Sequence, residues 1–71
     1  MKPLSQREID VIRILMTGAP DKMIGRILGI ATNTVKLHLK HISYKLNLTG
    51  RVQIAMWGGE NLLKGDTNDQ H

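Results

Sequence analysis

Asn33, Lys36, Leu37, Lys40 and Tyr44 sit three or four positions apart in the run TNTVKLHLKHISYKL, residues 32–46. At that spacing they share one side of an α-helix. A lysine can donate to guanine O6 or N7 or neutralise a phosphate, a leucine can touch a thymine methyl, and an asparagine can pair with an adenine edge. None of the five is acidic. A surface helix needs a wet face, but not one without a carboxylate, so the bias points to something negative. The ordinary alternatives are that Lys36 and Lys40 only aid solubility, that Leu37 is a scattered surface leucine, and that Asn33 supports the helix start. Val35, Leu39, Ile42 and Leu46 form an apolar stripe on the other side, which must face a core.

The wider charge pattern agrees. The chain carries a net charge of +4 and has a sequence pI of about 9.9. Residues 22–59 hold no Asp or Glu, yet contain Lys22, Arg26, Lys36, Lys40, Lys45 and Arg51, with His38 and His41 beside them. Glu8, Asp10, Asp21, Glu60, Asp66 and Asp69 all lie outside that stretch. A one-sided basic surface of this kind is the footprint of a polyanion binder.

With 71 residues the chain makes one domain at most. A domain this small buries only about 60% of its unfolded surface, so close helix packing or a second copy must add burial. There is no cysteine, hence no disulfide framework or thiolate metal site. No apolar run approaches the length of a membrane span, and no signal segment opens the chain, so a soluble, cytoplasmic protein is expected. Metal is conceivable at His38 and His41, three apart on one helix, but no third ligand stands at a recognisable spacing. His38, at the edge of the apolar stripe, is better read as packed, and His41, on the polar flank, as a phosphate contact. No nucleophilic cysteine, glycine-rich phosphate loop or paired carboxylate suggests an enzyme, and no cofactor is implied.

Four helices should position these residues. Ser5 and Glu8 have the spacing of a capping box, with Leu4 and Ile9 as its hydrophobic staple. A first helix follows, with Ile9, Ile12, Leu15 and Met16 buried, Val11 at the edge, and Gly18 as its end. Pro20 and Asp21 suit the start of a second helix, where Asp21 can cap or favour the dipole. That helix spans about residues 21–28, with Ile24, Ile27 and Leu28 facing inward. Gly25 inside it costs about 1 kcal/mol against alanine, which suggests close approach by another backbone. Gly25, Gly29 and Val35 together suit a helix-turn-helix: room to cross, a sharp turn, and a filled corner. The third helix covers residues 32–46. A fourth begins at Thr49 or Gly50, is weakened at Gly58 and Gly59, and runs to about residue 63. Met56 and Trp57 on it suit an apolar seam with a second copy. Residues 65–71 are expected to be a flexible tail, leaving residues 1–64 as the domain.

The pattern Leu4-Ser5-x-Arg7-Glu8, Gly18, Leu28-Gly29-Ile30, Thr34-Val35-Lys36-x-His38-x-x-x-Ile42-x-x-Lys45-Leu46 and Arg51-Val52 resembles the LuxR/FixJ-type (GerE-like) DNA-binding domain of bacterial transcription regulators. The resemblance implies an all-α, four-helix domain whose third helix enters the major groove and whose fourth forms a homodimer contact. By position, Lys36, Leu37 and Lys40 would face base edges and nearby phosphates, and Lys22, Thr34 and Lys45 would touch the backbone; the residue types themselves add Asn33 as a candidate at bases and Thr32 and His41 as candidates at phosphates. Val52, Gln53, Met56 and Trp57 are the candidates for the dimer interface on that helix, with no assignment among them from sequence; the alternative is that Met56 and Trp57 fold back onto the domain's own core. Three positions depart from the family. Ala31 replaces a usual serine cap, a role Thr32 could take. The run from Pro20 to Gly25 replaces Ser-Asn-Lys-Glu-Ile-Ala and brings Asp21 close to the phosphate path. Gly50 replaces a frequent polar residue.

The expected function is sequence-specific binding of double-stranded DNA by a homodimer that regulates transcription at an inverted repeat, in the cytoplasm at the nucleoid. The alternative is a small interaction module that heterodimerises with a larger regulator of the same kind and modulates its DNA binding.

Overall fold

A computed structural model describes residues 3–63. Its elements, in chain order, are α1 (Gln6–Leu15), α2 (Asp21–Leu28), α3 (Thr32–Leu46) and α4 (Arg51–Gly58), the last running on into a π-helical turn, Gly59–Leu63. There is no strand among the described residues. Expectations for residues 64–71 and for Met1 and Lys2 lie outside the described residues.

Local sequence explains most boundaries. The Ser5 hydroxyl accepts from the Glu8 N–H at 3.1 Å, and the Glu8 carboxylate accepts from the Ser5 N–H at 2.8 Å, completing the capping box. Gly18, at φ 91°, turns the chain after α1. Gly29 closes α2 in the left-handed conformation, φ 71°, and the Ile30 N–H donates to the Gly25 carbonyl at 2.9 Å. Asn47 closes α3 in the same way at φ 55°, with the Leu48 N–H on the Ser43 carbonyl at 3.0 Å.

The fully enclosed core is Val11, Ile12, Leu15, Ile24, Val35, Ile42 and Ile54, so every helix contributes. Three expectations about its make-up need correcting. Val11 is completely buried rather than at an edge, while Ile9 and Met16 are half-buried. The α1 stripe is therefore turned toward Val11, because α1 packs against three helices and not one. Ile27 is exposed rather than inward, since α2 is a short helix whose inner arc is filled by Ile24, Gly25 and Leu28. Gly58, read as a weak point, is buried; a Cβ there would lie 2.5 Å from Met16 Sδ and 2.7 Å from Ile12 Cγ2. There α4 packs directly against α1.

Capping at the later helices also differs from expectation. Ala31 is the N-cap of α3 and no side chain caps that end, so Thr32 does not substitute for a serine. Asp21 does not cap α2, whose N-cap is Pro20, but lies in the first helical turn, where its charge favours the helix dipole as the other expectation had it. Gly50, at φ 88°, is the N-cap of α4, which starts at Arg51.

Candidate nucleic-acid interface

Three contacts set the position of α3. At its start, α2 crosses closely through Gly25: a Cβ there would fall 2.6 Å from the Ile30 carbonyl oxygen and 3.4 Å from Val35 Cγ2. Only a residue with no side chain leaves that corner undisturbed. Along its middle, Val35 and Ile42 are fully buried, with Leu39 and Leu46 packed against the core. Near its end, Lys45 Nζ donates to Glu8 Oε1 at 2.7 Å. Glu8 is only 3% exposed. Burial works to raise its carboxyl, but the hydrogen bond from Lys45, the Ser5 N–H and the Lys45 charge outweigh this and hold it below its ordinary 4.5. One carboxylate thus starts α1 and pins the last turn of α3.

With its inner side so held, α3 turns Asn33, Lys36, Leu37, Lys40, His41 and Tyr44 outward. Leu37 is 51% exposed and Tyr44 78%. These six lie on one connected face that carries no acid. Thr32 and Thr34 are half-buried at the first turn, and Lys22 and Arg26 are exposed on α2. The cations expected at phosphates divide into two kinds: Lys22 is open to solvent, whereas Lys45 is half-buried and committed to Glu8. Its charge is largely matched inside the domain, which leaves it less to offer a phosphate. His38 is half-buried. Among the described residues no group of three His, Cys, Asp or Glu comes together to hold a metal, and no helix is long and apolar enough to cross a membrane.

On α4 the exposed side is of another kind. Val52 is 69% exposed and Met56 64%, one turn apart, and Leu63 is exposed farther along. Gln53 is exposed as well, its side-chain oxygen accepting from the Thr49 N–H at 2.8 Å. Trp57 is half-buried against the core. A groove of about 320 Å³ runs along this side, lined by Leu48, Gln53, Met56, Trp57 and Glu60. The four residues expected at a dimer contact therefore do not behave alike: Trp57 mostly completes its own core, and the other three face outward.

Arg51 makes a contact that its sequence neighbours do not signal. Its Nη1 donates to Asp21 Oδ1 at 2.6 Å and its Nη2 to the Ala19 carbonyl at 2.9 Å. The start of α4 is thereby tied to the connection between α1 and α2. No local signal could have revealed this pairing across thirty positions of the chain.

Similarity to known proteins adds to this geometry. The profile of the family described as bacterial regulatory proteins, luxR family, matches residues 2–58. The nitrate/nitrite response regulator protein NarL of Escherichia coli (strain K12) is 44% identical over 54 residues, covering 76% of this chain and 25% of NarL. The putative HTH-type transcriptional regulator YhjB of the same strain is 41% identical over 56 residues, covering 79% of this chain and 28% of YhjB. The HTH-type transcriptional regulator MalT of Vibrio campbellii is 36% identical over 62 residues, 87% of this chain but 7% of MalT. The chain spans about a quarter of the length of NarL and YhjB. With the profile covering most of the sequence and the four helices in place, the chain belongs to the luxR family of bacterial regulatory proteins and is a helix-turn-helix DNA-binding domain of that family.

Proposed function

We propose that this domain recognises a specific double-stranded DNA sequence as a homodimer and so regulates transcription, acting on chromosomal DNA in the cytoplasm. The observation that carries the reading is the exposed, acid-free side of α3, held rigidly by Gly25 at one end and by Glu8 and Lys45 at the other. Lys36, Leu37, Lys40 and Asn33 enter the major groove and meet base edges. Lys22, His41 and the first turn of α3, with Thr32 and Thr34, lie against phosphates and set the register. Lys45 acts mainly through Glu8, by fixing where α3 ends.

The apolar exposed side of α4 supports the homodimer. Val52 and Met56, one turn apart, leave an apolar patch that water solvates poorly, Leu63 is exposed farther along, and the groove beside Met56 gives a partner's side chain a seat. Two domains joined there present two α3 helices to half-sites about one helical turn apart, in an inverted repeat.

The test is a pair of substitutions read against salt. Lys36→Ala and Lys40→Ala are measured on a bound duplex and on base-substituted versions of it. A base-reading lysine loses about 1–3 kcal/mol and relaxes preference at one position; a phosphate-holding lysine loses affinity uniformly and reduces the salt slope by about 1. Unchanged binding in both variants rules out this face.

A further inference from the structure

Asp21 is the one acid between Asp10 and Glu60, and it stands next to Lys22 in the first turn of α2. A bare carboxylate there is a poor neighbour for a phosphate backbone. Its repulsion reaches roughly the Debye length, about 8 Å at physiological salt. The carboxylate is not bare, however. Arg51 Nη1 holds Oδ1 at 2.6 Å, and its other terminal nitrogen is fixed on the Ala19 carbonyl at 2.9 Å. The guanidinium is thus anchored at two points, on the carboxylate and on the backbone just before it.

We infer that Arg51 is a positioning residue for DNA binding: it neutralises Asp21 and draws the carboxylate back toward α4, so that Lys22 and the start of α2 meet the phosphates without an opposing charge. This rests on the DNA reading above and goes beyond it, because Arg51 itself need touch no nucleotide. Stability is not the main product of this pair. The side chains are 42% and 20% exposed, and exposed ion pairs contribute only about 0–1 kcal/mol. Arg51 is moreover the one cation of α4 among the described residues, so no neighbour on that helix can take its place.

The experiment is a cycle of Arg51→Ala, Asp21→Asn and the double variant, each as the full chain, with affinity for one duplex measured between about 50 and 200 mM salt. Arg51→Ala uncovers the carboxylate, and its affinity is expected to fall about fivefold to tenfold at the low-salt end, by less as salt screens the charge. Asp21→Asn removes the acid and should bind at least as well as the wild type. The double variant should recover to within about threefold of the wild type, since nothing is left to mask. A structural brace behaves differently, because it is lost in all three variants. If Asp21→Asn weakens binding as much as Arg51→Ala does, the pair is only a brace and the inference fails. If the double variant stays as weak as Arg51→Ala, the guanidinium itself is the DNA contact, which also overturns it, as does an Arg51→Ala protein that binds like the wild type. These outcomes presuppose a wild type with salt-dependent affinity. Its absence would instead remove the DNA reading, and with it this inference.

Discussion

The exposed sides of α3 and α4 differ in chemistry although both helices bury their inner sides in the same core. On α3 the outward residues are Asn33, Lys36, Leu37, Lys40, His41 and Tyr44, polar or cationic but for one leucine. On α4 and its extension they include Val52, Met56 and Leu63. The two helices are also secured differently. α3 is locked at both ends, by a glycine crossing and by a buried ion pair. α4, which like α3 starts without a side-chain cap, is met by α1 at Gly58 near its end, and at its start is held by the exposed ion pair of its first residue. A face that must place side chains against base edges needs a fixed frame, because small displacements lose bidentate contacts. An apolar face that meets another apolar face tolerates more freedom, since burial is not directional. The contrast shows how one small core can support two surfaces of opposite preference.

Substitutions at the two faces and their anchors separate these roles. The largest effect is expected from Gly25→Val, which forces a branched side chain into the space in front of the Ile30 carbonyl and Val35. It should cost about 3 kcal/mol of folding stability, seen as a lower midpoint in thermal or urea unfolding. A variant as stable as the wild type would mean that α3 is not held by this crossing. Next comes Val52→Glu with Met56→Glu. Both positions are exposed, so monomer stability should change little, while self-association should weaken by about 2 kcal/mol or more. Sedimentation over a concentration series reads this, and an unchanged association curve would move the dimer contact off α4. Binding of a single half-site should survive, which separates the two faces cleanly.

A smaller effect concerns the buried pair. Glu8→Gln removes the charge that Lys45 satisfies and weakens the capping box, and should cost about 2 kcal/mol at neutral pH. The pH dependence follows from the sign of the shift. The folded-state pKa of Glu8 lies below its ordinary 4.5, so the pair's contribution is complete above that value and is lost as pH falls through the lowered one. Stability should therefore decline in acid, and the decline should be shallower in Glu8→Gln. Parallel profiles for the two proteins would show that other carboxylates dominate. The smallest stability effect is expected from Arg51→Ala, at about 1 kcal/mol or less because the pair is exposed. A loss as large as that of Glu8→Gln would erase the distinction between the two ion pairs.

Much of the fold was legible because its signals are local. Ser5 and Glu8 stand three apart, and the capping box formed from them. Gly29 separates two helices whose apolar spacing marked residues 21–28 and 32–46, the spans found. The outward residues of α3 were likewise readable from periodicity. What could not be read depends on distant residues or on packing geometry. Glu8 was explained completely by its cap, so nothing signalled a partner at Lys45, thirty-seven positions away. Asp21 suited a cap or the helix dipole; it takes the second place, in the first turn of α2, and nothing local signalled that Arg51 would hold it. Gly58 looked like a helix weak point, because sequence cannot tell a glycine that breaks a helix from one that lets another helix approach. Ile27 has the spacing of a core residue, yet α2 is only two turns long and one arc of it meets neighbours. Thr32 was a reasonable cap by type, but the chain enters α3 one residue earlier, at Ala31.

Whether the outward side of α3 reads a DNA sequence is decided by selection from a random duplex pool at physiological salt, followed by sequencing. An inverted repeat whose half-sites lie about one helical turn apart should be enriched, with enrichment lost in the Lys36→Ala, Lys40→Ala double variant. A pool that stays random, with binding that vanishes as salt rises, would contradict that reading and leave only a general attraction between a basic surface and a polyanion.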